Sequence, residues 1–141
     1  MGQLATFFED LQALHATIDP DLRAYRIRPR GQIDPPCVYA TITDETFQRM
    51  DTVHGQDELT VPVRLAVHRT DTEEEVDELL RFVDLYREVM DVALWTSELP
   101  GDAEECRRMG MRQVVENFNG VDYLCVEFPI RVRLTRLIRT P

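Results

Sequence analysis

The residues of this sequence that could do chemistry are three cysteines, three histidines and several groups of acids. Cys37, Cys106 and Cys125 are odd in number, widely spaced and form no Cys-x-x-Cys pair, so they read as neither a disulfide framework nor a zinc clip. Cys37 and Cys125 fall in strand-like runs and read as small buried hydrophobes. Cys106 precedes Arg107 and Arg108, whose charge would lower a thiol pKa, but no partner for chemistry accompanies it. His15, His54 and His68 each lack a Cys or His within five residues, whereas zinc needs clustered ligands. His15 reads as a helix-surface residue and His68 as the end of a strand. Glu73, Glu74 and Glu75 resemble a metal cluster but sit where a helix should begin, and read as its solvated, capped start. The loop acids Asp44, Glu45, Asp51, Asp57 and Glu58 could pair for general acid–base work, yet nothing beside them supplies a pocket. No Gly-x-x-x-x-Gly-Lys-Ser/Thr, Gly-x-Gly-x-x-Gly or Gly-x-Ser-x-Gly motif occurs. The expectation is a chain that is not an enzyme, with no catalytic residue, cofactor or metal.

These side chains belong to a sequence of 141 residues, about one domain, with 43% hydrophobic content typical of globular proteins. No run approaches the ~20 apolar residues of a membrane span, and the N-terminus has no signal-peptide pattern, so an intracellular protein away from membranes is expected. Gly2 with Thr6 matches a myristoylation pattern that recurs by chance. All 16 basic residues are arginine, as a GC-rich genome would favour, and the net charge is −10. That charge argues against a surface built to hold DNA, which needs a basic patch.

Hydrophobic spacing supplies the elements. Leu4, Phe7, Phe8, Leu11 and Leu14 form a helical stripe ended by Ile18-Asp19-Pro20. Leu22 to Arg28 and the alternating run around Val38, Ala40 and Ile42 read as strands. The polar segment Asp44 to Glu58 follows, a long loop anchored by Phe47 and Met50 and expected to order against a neighbour. Leu59, Val61, Val63, Leu65 and Val67 alternate strictly. Pro62 on the opposite face marks an edge or a bulge, because it lacks a ladder donor. Thr72 to Glu75 forms a capping box, and a helix continues through Val76, Leu79, Leu80, Val83, Tyr86 and Met90 to about Leu94. Asp102 to Arg108 reads as a short turn of helix. Asn119-Gly120 joins two strands, Arg112 to Phe118 and Val121 to Arg133, as a hairpin, and the second strand should outrun the first. On it Leu124, Val126, Phe128, Ile130, Val132 and Leu134 share one face, with Cys125, Glu127, Arg131 and Arg133 on the other. The expected fold is a single α+β domain over residues 1–141, with a largely antiparallel sheet of about five strands and two helices packed on one face.

Two stretches carry a family resemblance. Thr60-Val61-Pro62-Val63-Arg64-Leu65-Ala66-Val67, running into the acidic helix with Leu79-Leu80, resembles the middle of the tail-terminator (tail-completion) proteins of long-tailed bacteriophages. Gly120-Val121-Asp122-Tyr123-Leu124-Cys125-Val126-Glu127-Phe128-Pro129-Ile130-Arg131-Val132 resembles their final strand. The resemblance spans about Leu4 to Leu134 and departs in the loop, where relatives are glycine-rich and this chain has only Gly55. It implies a structural virion subunit, assembled in the host cytoplasm, that forms a homo-hexameric ring at the head-proximal end of the tail. Such a ring stops growth of the tail tube and offers a docking face for head–tail joining. Its partners would be the tail tube protein on one side and a neck or connector protein on the other, with DNA passing through unheld. A ring of six such chains carries a formal charge of −60, six times −10. Closed rings use heterologous contacts, and the expected pairing sets Glu73, Glu74 and Glu75 against Arg131, Arg133 and Arg136. A head–tail connector or stopper, and a non-viral intracellular module that binds partners along a strand edge, stand as alternatives.

Overall fold

In a computed structural model, which describes residues 2–47, 56–67, 73–94 and 99–135, the N-terminal apolar stripe forms helix α1, Gln3–His15. Its last turn closes with the Ala16 amide donating to the Gln12 carbonyl and the Thr17 hydroxyl to that of Leu14. Strands β1 (Arg23–Ile27), β2 (Cys37–Ala40) and β3 (Gln56–Ala66) follow, then helix α2 (Glu73–Ala93). A 3₁₀ turn at Pro100–Asp102 leads into β4 (Glu105–Arg108), β5 (Arg112–Phe118) and β6 (Val121–Thr135). The fold is α+β, as expected, with six strands in the order β1-β2-β3-β6-β4 and β5 also on β6. Among the described strands only β1 and β2 run parallel.

The long strand β6 organises the sheet. β3 pairs with it from Gln56–Thr135 to Ala66–Cys125, while its other edge is shared end to end by β5 and β4. The helical turn expected between Asp102 and Arg108 is therefore wrong beyond the 3₁₀ turn, because Glu105–Arg108 is a strand. Four residues are too few to show a period, and the backbone of β6 beyond its hairpin partner needed one. The long loop likewise ends sooner than expected: Asp57 and Glu58 lie in β3. Residues 48–55, including Met50, lie outside the described residues, as does the capping Thr72.

Pro62 is not on an edge strand. It stands opposite Pro129 in the β3–β6 ladder, and each proline points its missing donor away from the other. Pro62 faces the point where β2 has ended, its carbonyl accepting the Thr41 amide at 2.8 Å; Pro129 faces the break between β4 and β5, its carbonyl accepting the Met109 amide at 2.8 Å. Two prolines are tolerated in central strands because neither owes a hydrogen bond there.

Both helices cover one face. Phe7, Phe8 and Leu11 of α1 and Leu79, Phe82, Val83, Tyr86 and Met90 of α2 pack with the alternate residues of β3 and β6 from Leu59 to Leu65 and Phe128 to Leu134. Tyr86 stacks on Phe128 at 4.2 Å. Gly101 is fixed by close approach: with φ of 62°, a Cβ there would lie 2.8 Å from that of Phe7, and its amide donates to Asp10 at 2.9 Å.

Candidate functional site

The face of the sheet away from the helices is polar along much of its length, and its side chains form rows set by strand register. One row crosses Glu58, Arg133 and Glu105; the next holds Thr60, Arg131 and Arg107; then come Pro62 and Pro129; beyond them lie Arg64, Glu127 and Arg112. Alternating strand geometry makes this inevitable once Leu59, Val61, Phe128 and Ile130 turn inward, because their neighbours must turn out.

The Arg64–Glu127–Arg112 row is a structural clamp. Glu127 is 2% exposed and accepts from Arg64 Nε at 3.0 Å and from Arg112 Nε. Arg64 also meets Glu116, whose other oxygen takes Arg28 at 3.3 Å, and Arg28 lies 4.4 Å above the Phe118 ring. Hydrogen bonding to Glu127 raises the pKa of Arg112. A buried carboxylate held by two arginines has its oxygens engaged within the sheet.

Glu58, Arg133 and Glu105 of one row and Arg131 and Arg107 of the next surround an open cleft of about 120 Å³, which Met109 also lines. Arg133 pairs with Glu105, and Arg107 reaches the same carboxylate at 3.8 Å. Of the expected interface residues, Arg131 is exposed and Arg133 half-buried; Glu73 and Glu74 are exposed and Glu75 half-buried at the start of α2, on the opposite side of the sheet. The chain therefore does not bring the two charged sets together within itself. Phe47 is exposed; Arg136 and Met50 lie outside the described residues. Arg107 was missed in the sequence because its segment was read as helical, which hid its register with Arg131.

Two readings of chemical residues need correction. His15 is not on a helix surface: it is 1% exposed, and its Nε2 lies 3.1 Å from the Tyr86 hydroxyl. Burial pushes its pKa down to about 3, so it is neutral. The flanking arginines do not activate Cys106. Its side chain turns inward from β4, and burial pushes the thiol up to about 12; Cys37 and Cys125 are buried too, at about 12 and about 11. At neutral pH all three are thiols, poor nucleophiles and poor metal ligands.

A second ionic contact ties α2 to the sheet edge. Arg108 Nε and Nη2 donate to the two oxygens of Asp91 at 2.9 and 3.0 Å. Hydrogen bonding from Arg108 holds the Asp91 carboxyl below its ordinary pKa. Among the described residues no group of three or more His, Cys, Asp or Glu side chains could hold a metal ion, and no helix is long and apolar enough to cross a membrane. Compared with known proteins, the chain matches no protein-family model and no curated protein.

Proposed function

We propose that this protein is a structural assembly subunit and not an enzyme: a tail terminator that forms a homo-hexameric ring at the head-proximal end of a phage tail tube. One observation carries the proposal. The subunit has unlike charged surfaces on opposite sides of its sheet, an arginine-bearing β-face and an acidic start of α2, arranged so that neither can meet the other within one chain. Surfaces of that kind satisfy each other between copies, and head-to-tail repetition closes into a ring when the rotation between neighbours divides a full turn. The ring would end tube growth, present a face to a neck or connector protein, and let DNA pass unheld. The charge of −10 per chain suits a conduit. Apolar contact must accompany the ion pairs, since exposed pairs contribute only about 0–1 kcal/mol each. Phe47 and Met50 are the proposed loop contacts.

The direct test is negative-stain imaging of the purified chain, alone and mixed with tail tubes. Discrete rings, seated on tube ends when tubes are present, are the expected result. A chain that stays monomeric in both samples excludes the proposal. A connector or stopper would form rings that leave tube ends bare. A strand-edge binding module is favoured by β1, an end strand of the sheet, and would stay monomeric or dimeric while adding a peptide strand there.

A further inference from the structure

We infer that Arg107 and Arg131 together form a carboxylate receptor, and that its occupant is the acidic start of α2, Glu73 and Glu74, of a second copy of this chain. The inference rests on the assembly proposal and names a contact within it.

The rows of the sheet supply the argument. Across β3, β6 and β4, Glu58, Arg133 and Glu105 alternate in sign, and Arg133 pairs with Glu105. In the neighbouring row Arg131 stands opposite Thr60 on one side and Arg107 on the other. Like charges placed directly opposite destabilise an antiparallel pair, so these two facing guanidinium groups, with no carboxylate in their own row, favour an added anion. Glu105 is already shared by Arg133 and, at 3.8 Å, Arg107. Arg131 is exposed and has no ion-pair partner among the described residues. The cleft beside it, about 120 Å³, has room for a carboxylate head. Two planar guanidinium groups suit a carboxylate better than ammonium groups would, because each offers a fork of donors.

Charge and geometry select the occupant. In a chain of net −10, the exposed carboxylates Glu73 and Glu74 are concentrated at one helix start, where the helix dipole favours them. The chain cannot seat them in its own receptor. They lie on the helix side of the sheet, about 20 Å along α2 from Tyr86, which stacks on Phe128, whereas Arg107 and Arg131 project from the other face. A second copy can seat them, and each copy then gives a helix and receives one.

The test uses the intact chain, with assembly followed by light scattering and folding by circular dichroism. Replacing both receptor residues, Arg107→Gln with Arg131→Gln, should raise the concentration at half-assembly about tenfold while leaving the melting transition in place. Arg133→Gln, which changes the compensated row, should shift it much less. Charge reversal identifies the occupant. A chain with Arg107→Glu and Arg131→Glu, and a second with Glu73→Arg and Glu74→Arg, should each fail to assemble alone and assemble when mixed, since alternation restores opposite charges at every contact. If the double glutamine variant forms rings at the wild-type concentration, the receptor is overturned and the assembly proposal stands. If the reversed chains stay apart when mixed, the start of α2 is not the occupant and the inference is overturned. A wild-type chain that never assembles overturns both.

Discussion

Strand β6 presents two contrasting surfaces on one backbone. Toward the helices, Phe128, Ile130, Val132 and Leu134 are buried at 1% exposure or less in a continuous apolar core. Away from them, Glu127, Arg131 and Arg133 carry charge, satisfied to different degrees: Glu127 fully by two arginines, Arg133 in part by Glu105, and Arg131 by nothing in the described chain. The inner face gains its free energy from area removed from water, which is insensitive to partner identity. The outer face gains little from ion pairs exposed to solvent but is particular about sign and geometry. Stability is thus expected to reside on one side of the strand and specificity on the other.

Substitutions along β6 can break that division. The largest effect is expected from Phe128→Ala, which removes the ring stacked on Tyr86 and leaves a cavity; urea unfolding should show a loss of about 3–5 kcal/mol. A loss under 1 kcal/mol would mean that the helix face is not the seat of stability.

Acid should attack the inner face next, through His15. Its folded pKa, about 3, lies below its ordinary 6.5, so the folded state disfavours the proton. The associated stability is complete above pH 6.5 and is lost as pH falls toward 3, by roughly 3 kcal/mol at pH 4. His15→Phe should flatten the dependence between pH 6.5 and 4, although it leaves the Tyr86 hydroxyl without its partner. An unaltered pH profile in urea melts would mean that His15 does not drive acid unfolding.

The smallest of the three effects belongs to the outer face. Glu127→Gln keeps the shape of a side chain 2% exposed but removes the charge shared by Arg64 and Arg112, and should cost about 1–3 kcal/mol in the same assay. A cost as large as that of Phe128→Ala would erase the distinction between the faces.

Much of this was legible in the residues. Strict alternation from Leu59 to Val67 and from Leu124 to Leu134 assigned both strands and both faces, because side chains on a strand alternate whatever they touch. Asn119-Gly120 located the hairpin; Asn119 and Gly120 adopt φ of 53° and 84°. β4 was not legible, since four residues ending in two arginines carry no period and pair only because β6 is too long for β5. His15 was misplaced for a related reason: the helical pattern gave it a face, but only the contact with Tyr86 of α2 made that face interior.

By itself, then, the sequence determined every element but β4, the α+β class and the inward or outward sense of nearly every residue on β6, because these follow from local periodicity. Tertiary structure decided which outward charges meet. Arg107 and Arg131 are far apart in the chain and become opposite neighbours only through the β4–β6 register. Glu127 finds Arg64 and Arg112 by the same means. Register is a long-range property, set by the packing of the opposite, apolar face. The charged surface is therefore fixed by residues that never touch it.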